Sequence, residues 1–225
     1  MNVLVVAPHA DDETIGAGGT IARHVDAGDH VTVAIMTGHG DEPHPLWPRS
    51  VWEQVRGEAR EALAHLGVQQ TLFEEIPAAL VAEQERWRVN QIADRLVREV
   101  RPEILYVPFA FDLHSDHRGI FNAFSVAWRP VGEHGRGIRE VLCYEVLSET
   151  HWNAPYIEAG FIPNVWVDIT ATVERKIRAL ECYRSQMGPP PAPRSVDAMR
   201  ALSQWRGAQA GMHHAEAFVL IRKLG

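Results

Sequence analysis

The stretch VLVVAPHADDE, residues 3–13, joins an uninterrupted aliphatic run to one histidine and three acidic residues. Four consecutive aliphatic side chains are typical of a strand that is buried on both faces of a parallel sheet. Packing gives no reason for three carboxylic acids at the end of such a strand. Imidazole and carboxylate groups, however, are ligands that suit a divalent cation such as Zn²⁺. The stretch therefore predicts a buried strand that ends in a metal-binding turn.

A second cluster of this kind, HSDH at residues 114–117, follows a second apolar run, ILYV at residues 104–107. Each cluster alone has a simpler explanation. Asp11 or Asp12 can cap a helix, and a His-x-x-His pair can arise by chance in a chain with 12 histidines. In open α/β sheets ligands bind at the carboxyl ends of strands, so two such turns on neighbouring strands would converge. The pair of clusters therefore favours a metal site.

Apolar periodicity predicts alternating strands and helices. The predicted strands are 2–7, 30–36, 71–73, 104–108, 141–146, 165–169 and 217–221. The predicted helices are 14–27, 50–66, 84–100, 119–128, 172–187 and 196–205. Strand–helix alternation over residues 1–130 indicates a doubly wound, mostly parallel α/β sheet flanked by helices, which is a Rossmann-like fold. No repeat or linker divides the chain, so we expect a single domain over residues 1–225.

Within the two clusters, His9, Asp12 and His117 are the expected metal ligands. Three protein ligands leave one coordination position open, as in catalytic rather than structural zinc sites. The adjacent Asp11 would remain free to act as a general base, because a coordinated carboxylate is a poor proton acceptor. His114 could donate a hydrogen bond to a developing oxyanion or protonate a leaving nitrogen.

Two further acids complete the clusters without being assigned as ligands. Asp116 is expected to orient one of the imidazoles from outside the coordination sphere of the metal. Glu13 is also expected to lie just outside the coordination sphere. It is the next candidate for the general base if Asp11 does not take that role.

The composition excludes several classes of protein. With 22 basic and 29 acidic residues, the net charge of −7 argues against a nucleic-acid partner. The N-terminus lacks a signal-peptide pattern, and no apolar run approaches the ~20 residues of a membrane helix. We therefore expect a cytoplasmic protein with no membrane partner. Cys143 and Cys182 are expected to be buried free thiols.

The two motifs resemble those of the LmbE/PIG-L family of zinc-dependent N-deacetylases. The usual Ala-His-Pro-Asp-Asp-Glu of that family is here APHADDE at residues 7–13, so that proline precedes the histidine while His, Asp, Asp and Glu keep their spacing. The resemblance implies the same roles for the matching residues: zinc ligands His9, Asp12 and His117, general base Asp11, and His114 beside the tetrahedral intermediate.

The resemblance covers nearly the whole chain. Arg56 is similar to the arginine of the family's Arg-x-x-Glu helix, which implies a contact with substrate. The implied activity is removal of an N-acetyl group from an N-acetylglucosamine-type sugar, with one Zn²⁺ per subunit or Fe²⁺ in the cell, in a homo-oligomer, a trimer or hexamer. Loops at residues 38–48 and 188–194 are expected to rim the pocket. Two alternatives stay open: hydrolysis of another N-acyl or carbamoyl group, and a catalytically silent sugar-binding protein.

Overall fold

The computed structural model describes residues 1–40 and 43–225, and it contains one seven-stranded sheet with helices on both faces. The strands are β1 (Asn2–Ala7), β2 (His30–Gly38), β3 (Gln70–Pro77), β4 (Ile104–Pro108), β5 (Glu140–Tyr144), β6 (Val165–Asp168) and β7 (Ala215–Lys223). The helices are α1 (Asp12–Asp26), α2 (Arg49–Leu66), α3 (Arg86–Val100), α4 (Ser115–Ala127), α5 (Gly132–Gly137), α6 (Val173–Cys182) and α7 (Val196–Ala210). In the described ranges, no helix combines the length and the apolar character needed to cross a bilayer.

The strand order is β3-β2-β1-β4-β5-β7-β6. The first five strands in this order run parallel, whereas β7 is antiparallel to both β5 and β6. This arrangement confirms the predicted doubly wound, mostly parallel α/β fold. The C-terminal strand β7, which follows α7, lies between β5 and the edge strand β6.

Strand β1 lies in the middle of the sheet and is buried on both faces. Val3 and Val5 pack in the apolar layer that includes residues of α1, α2 and α6. Leu4 and Val6 pack in the opposite layer, against α3 and α4. All four side chains are fully inaccessible to solvent, which explains why the run contains no polar residue.

The chain order of the sheet reverses between β1 and β4. Val5 of β1 pairs with Val33 of β2 on one side and with Tyr106 of β4 on the other. Helix α1 follows β1 on one face of the sheet, while α4 follows β4 on the opposite face. A crevice opens where neighbouring connections diverge in this way. The two ligand-rich turns therefore lie side by side at the carboxyl end of the sheet.

Helix α1 approaches the sheet closely beside this crevice. A Cβ atom at Gly16 would lie 2.2 Å from Cδ2 of Tyr144, so only glycine permits the contact. The hydroxyl group of Tyr144 in turn donates a hydrogen bond to the backbone oxygen of Val6 across 2.7 Å. These contacts fix the start of α1 against β1.

Several boundaries differ from the predictions. Helix α4 begins at Ser115 rather than at residue 119, because Nδ1 of His114 caps it by accepting a hydrogen bond from the backbone N–H of Asp116. Strand β3 is longer than residues 71–73, since it pairs with β2 along most of its length. Helix α6 ends at Cys182 instead of residue 187, and the short, glycine-rich α5 was not predicted. Residues 41 and 42, inside the predicted loop 38–48, lie outside the described residues.

Candidate metal centre and active site

Three side chains converge where β1 and β4 end. His9 lies in the turn after β1, Asp12 is the first residue of α1, and His117 lies in the first turn of α4. One ligand atom from each lies within 4.8 Å of the others. Oδ2 of Asp12 is 3.3 Å from Nδ1 of His9 and 3.2 Å from Nε2 of His117. The structure therefore brings together the three residues that the sequence predicts as metal ligands.

Two buried atoms of this cluster make no hydrogen bond within the described part of the chain. They are Oδ1 of Asp12 and Nε2 of His117, whose 3.2 Å contact with Oδ2 of Asp12 lacks hydrogen-bond geometry. Buried polar atoms without a partner are costly, and in native proteins such atoms often face a bound water molecule or ion. Two imidazole nitrogens and one carboxylate form a donor set that suits a divalent cation such as Zn²⁺. The residues present therefore fit a metal ion with three protein ligands.

Each histidine of the cluster is oriented by its own carboxylate. Nδ1 of His117 donates to Oδ2 of Asp112 across 2.8 Å, and this hydrogen bond leaves Nε2 facing Asp12. Nε2 of His9 lies 3.0 Å from Oδ2 of Asp116, which also accepts the backbone N–H of Ala79 across 2.6 Å. Such carboxylate–histidine pairs fix ring orientation and raise the basicity of the ligand. Asp116 thus lies where a residue that orients an imidazole is expected.

The electrostatics of the cluster favour positive charge. Burial lowers the pKa of His117, but the charge of Asp12 and the hydrogen bond to Asp112 outweigh burial and raise this pKa to about 10. Burial also opposes charge on His9, yet its hydrogen bonds to Asp116 and Asp12 raise its pKa to about 9. A metal ion bound here would take the place of protons, so metal binding would release protons.

The backbone of Asp11 is strained, with φ 131° and ψ −29°. Residues other than glycine rarely adopt this backbone conformation, which costs about 1–3 kcal/mol. Such strained residues occur mostly at functional sites. Asp11 occupies the N-cap position of α1, but its side chain makes no capping hydrogen bond, which argues against the simpler capping explanation. Glu13 supports the turn: its carboxylate accepts from the backbone N–H of Asp11 at 3.2 Å and from the hydroxyl of Tyr183 at 2.5 Å.

The two oxygens of the Asp11 carboxylate have different surroundings. Oδ2 accepts a hydrogen bond from Nη1 of Arg194 across 2.8 Å, while Oδ1 is buried with no partner among the described residues. Burial raises the pKa of Asp11 and Arg194 lowers it, and together with the charges of Asp12 and Glu13 the result is a pKa of about 7. A buried carboxylate whose pKa lies near neutrality is suited to general-base catalysis.

His114 lies beside the cluster without belonging to its predicted ligand set. Its ring centroid is 4.6 Å from that of His9 and 5.5 Å from that of His117. Burial and the neighbouring His9 lower the pKa of His114 to about 4, so the ring is neutral at neutral pH. Because Nδ1 accepts the backbone N–H of Asp116, we assign the proton to Nε2. The free Nε2–H can donate one hydrogen bond.

A cavity of about 400 Å³, which is the size of a small-molecule pocket, lies beside the cluster. His9 and His114 contribute to its lining, together with the polar residues Glu149, Gln186 and Arg194. The remaining lining is largely apolar: Ile35, Trp47, Val51, Trp52, Val55, Ala10, Ala78 and Ala79. Trp47 comes from the predicted loop 38–48 and Arg194 from the predicted loop 188–194, so both loops contribute to the cavity.

Arg56 of α2 also lines this cavity, but protein groups hold its guanidinium. Nη1 lies 2.6 Å from Oε1 of Glu75, and Nη2 donates to the backbone oxygen of Glu74 across 3.1 Å. Its Nε atom is buried and has no partner within the described ranges. A substrate contact by Arg56 therefore stays a prediction, and it requires either this free N–H or an exchange of the Glu75 ion pair.

Two residues of the site were missed by sequence reasoning. Asp112 lies five residues before His117, and a search for a further acid near the His-x-x-His pair would have found it. Arg194 was predicted only as part of a loop, and no local pattern links it to Asp11, which is 183 residues away in the chain.

Together, the doubly wound sheet and the His–Asp cluster at its crevice define an α/β protein with a candidate mononuclear metal centre. Residues 4–128, more than half of the 225-residue chain, match the family described as PIG-L: GlcNAc-PI de-N-acetylase. The chain belongs to this family, which confirms the resemblance noted from the sequence.

Individual relatives agree with this assignment. The 1D-myo-inositol 2-acetamido-2-deoxy-alpha-D-glucopyranoside deacetylase of Saccharomonospora viridis is 34% identical over 82% of this chain and 85% of its own length. The diacetylchitobiose deacetylase of Thermococcus kodakarensis is 26% identical over 95% of this chain and 80% of its own length. The chain spans only about half of some other relatives, 49% in the case of the deacetylase from Nocardioides.

Solved structures share the fold along the whole chain. The conserved protein TT1542 from Thermus thermophilus has a TM-score of 0.77 with 26% identity, covering 100% of this chain and 96% of its own. The 4-carboxy-2-hydroxymuconate hydratase GalB from Pseudomonas putida has a TM-score of 0.78 with 20% identity, covering 100% of this chain and 98% of its own. A hydratase has this fold too, so the function must be argued from the site.

Proposed function

We propose that this protein is a metal-dependent N-deacetylase that hydrolyses the acetamido group of an N-acetylglucosamine-type sugar. The observation that carries the proposal is the free Oδ1 of Asp11, a buried carboxylate oxygen beside the His9, Asp12 and His117 cluster. The names of the family and of its Saccharomonospora and Thermococcus members supply the substrate class.

His9, Asp12 and His117 would hold the metal ion. A bound Zn²⁺ would polarise the amide carbonyl and make water acidic enough to lose a proton near neutral pH. Asp11 accepts that proton on Oδ1, because Arg194 occupies its other oxygen. His114 donates its Nε2–H to the oxyanion of the tetrahedral intermediate.

Collapse of the intermediate breaks the carbon–nitrogen bond, and the leaving nitrogen needs a proton. The proton that Asp11 took from water can pass to this nitrogen, which restores the carboxylate. His114 keeps its proton throughout, consistent with the low pKa that disfavours its doubly protonated form. The products are acetate and the free amino sugar, and no atom is left on the protein.

The cavity offers different contacts to the hydroxyl groups of such a sugar and to the face of its ring. Gln186 and Arg56 line the cavity, and in this proposal they would bind hydroxyl groups of the sugar. Trp47 and Trp52, whose ring centroids are 5.8 Å apart, form an aromatic wall against which a ring of the substrate can pack.

Zinc is the metal that we propose, with Fe²⁺ as the alternative in the cell, because histidine and carboxylate ligands suit both. Cys143 and Cys182 are free and buried, which supports a reducing compartment and hence a cytoplasmic location. Metal analysis of protein purified without added metal and without air would distinguish the two ions.

A homo-oligomer, a trimer or hexamer, is part of the proposal. Four large apolar side chains in one irregular segment are more than half exposed: Trp152 61%, Tyr156 87%, Ile157 76% and Ile162 79%. Exposed apolar groups gathered in one segment often mark a protein interface. The segment follows Glu149 of the cavity lining, so a second copy bound there would reach the rim of the cavity. A monomer in sedimentation velocity at working concentration would contradict this part.

The experiment for the activity is acetate release from a panel of N-acetylglucosaminides by the metal-loaded protein. We expect turnover with at least one glycoside and none after metal removal by a chelator. Matched N-formyl and carbamoyl substrates test the alternative acyl groups. A fully metal-loaded protein that binds the panel but releases no acid would indicate a silent sugar-binding protein.

A further inference from the structure

A second cluster of metal-binding side chains lies away from the cavity, between α2 and α6. Glu61 and His65 are four residues apart on α2, a spacing that places both on one face of the helix. Cys182 is the last residue of α6. One ligand atom from each of the three lies within 4.8 Å of the others. None of these residues lines the cavity over the first cluster.

The cluster is accessible from one side only. The side chains of Glu61 and His65 are exposed, whereas Cys182 is buried beneath them. A cation can therefore enter from solvent and reach a sulfur ligand at the base of the site. Surface clusters of acidic residues alone are non-specific, but sulfur, imidazole and carboxylate together are selective for borderline and soft metals.

We propose that Glu61, His65 and Cys182 form a second divalent-metal site, for Zn²⁺ or a cation of similar chemistry, that links α2 to α6. Three protein ligands leave the fourth tetrahedral position for water. On binding, the Cys182 thiol loses its proton to solvent, and the thiolate donates an electron pair to the metal. No oxidation or reduction is involved.

Two existing contacts compete with the metal. Nη2 of Arg184 lies 2.8 Å from Oε2 of Glu61 and must move away from the carboxylate. The thiol of Cys182 donates to the backbone oxygen of Arg178 across 3.3 Å, a contact that is lost with the proton. Because Arg184 is exposed and its ion pair is weak, it can be displaced at low cost. Removing Arg184 should therefore strengthen metal binding.

The position of the site gives it a consequence for the fold. Cys182 is followed directly by Tyr183, whose hydroxyl donates to Glu13, and Glu13 accepts the backbone N–H of Asp11. A metal ion that ties α2 to the end of α6 would stabilise the segment that supports the strained turn at Asp11. Bound zinc should raise the thermal midpoint of the chain through this site as well as through the first cluster.

Cobalt absorbance tests the proposal. The first cluster supplies only nitrogen and oxygen ligands, so a near-ultraviolet thiolate-to-cobalt charge-transfer band can come only from a cysteine site. We expect Co²⁺ to produce this band in the wild-type protein, zinc to remove it, and Cys182→Ala to abolish it. The matched control Cys143→Ala should keep the band, and so should His9→Ala, which separates this site from the first cluster.

Substitutions at the exposed residues His65 and Arg184 give the most informative variants, because changing an exposed side chain does not threaten folding. His65→Ala removes one metal ligand. Loss of a residue that only hydrogen-bonds to a ligand weakens metal binding roughly 10–100-fold, and we expect His65→Ala to weaken cobalt binding at this site by more than that. Arg184→Ala should strengthen it. Absence of the band in the wild-type protein at millimolar cobalt would overturn the proposal. A band that survives Cys182→Ala would also overturn it. So would equal cobalt affinities in the wild-type protein and in His65→Ala.

Discussion

The guanidinium of Arg194 holds one oxygen of Asp11 and leaves the other free: Nη1 lies 2.8 Å from Oδ2, while Oδ1 has no partner in the described residues. Nε of the same arginine donates to the hydroxyl of Ser148 across 2.9 Å, so the guanidinium is itself fixed. This arrangement orients the carboxylate. The charge of Arg194 also lowers the pKa of Asp11, which opposes the increase caused by burial.

Replacing Arg194 should therefore change the pH dependence of the reaction. Arg194 lowers the pKa of Asp11, so Arg194→Gln raises it, and a base that must be ionised then needs a higher pH. We expect the acidic limb of the kcat/KM profile to move to higher pH. The matched control is Arg200→Gln, which removes an arginine paired with the exposed Glu174. An acidic limb at the wild-type position in Arg194→Gln would refute the assigned coupling.

Asp112 should govern metal affinity. It accepts Nδ1–H of His117 and also the hydroxyl of Thr150, so Asp112→Asn weakens the group that orients a ligand. We expect roughly 10–100-fold weaker metal binding, as is usual for such partners. Competition with a metal-binding dye measures this affinity, with Asp94→Asn, whose side chain is half exposed, as the control. Wild-type affinity in Asp112→Asn would contradict the role assigned to the Asp112 carboxylate.

His114 should act on the transition state and not on the metal. In His114→Ala the Nε2–H donor is lost, and the loss of one oxyanion donor costs about 10²–10³-fold in turnover. We expect kcat and kcat/KM to fall together while metal content stays at the wild-type value. A parallel loss of metal would instead identify His114 as a ligand.

Arg56 should contribute to substrate binding. Arg56→Ala is expected to raise KM more than it lowers kcat, since the residue lies in the cavity wall and is not part of the metal cluster. Arg60 provides a matched control: both guanidinium groups lie over the ring of Phe73, at 5.3 Å for Arg56 and 4.8 Å for Arg60, but Arg60 does not line the cavity. Unchanged KM in Arg56→Ala, or an equal rise in Arg60→Ala, would remove the assigned role.

The centre of the fold was readable from the sequence because burial there leaves a strong local pattern. Strands β1 and β4 are buried on both faces, so they appear as uninterrupted apolar runs, and the polar residues after them stand out. The three predicted ligands meet because these strands are neighbours at the point where strand order reverses. The apolar pattern, together with the rule that ligands bind at the carboxyl ends of strands, was enough to predict these two strands and the three ligands.

The missed features depend on contacts that leave no local pattern. The start of α4 was placed too late because a histidine ring, an uncommon N-cap, takes the place of the usual Ser, Thr, Asp or Asn. The ion pair between Arg194 and Asp11 joins segments that only the folded sheet brings together. The engagement of Arg56 by Glu75 likewise depends on how α2 packs beside β3, which periodicity does not specify.

In the proposed mechanism, Asp11 is the base beside a metal ion held by His9, Asp12 and His117. The most direct test measures acetate release and metal content together, in the wild-type protein and in Asp11→Asn. We expect equal metal content and a turnover lower by about 10²–10⁴-fold in the variant, because an amide cannot accept the proton of water. Near-normal acetate release by metal-loaded Asp11→Asn would contradict the account and move the base to another residue, with Glu13 the first to examine.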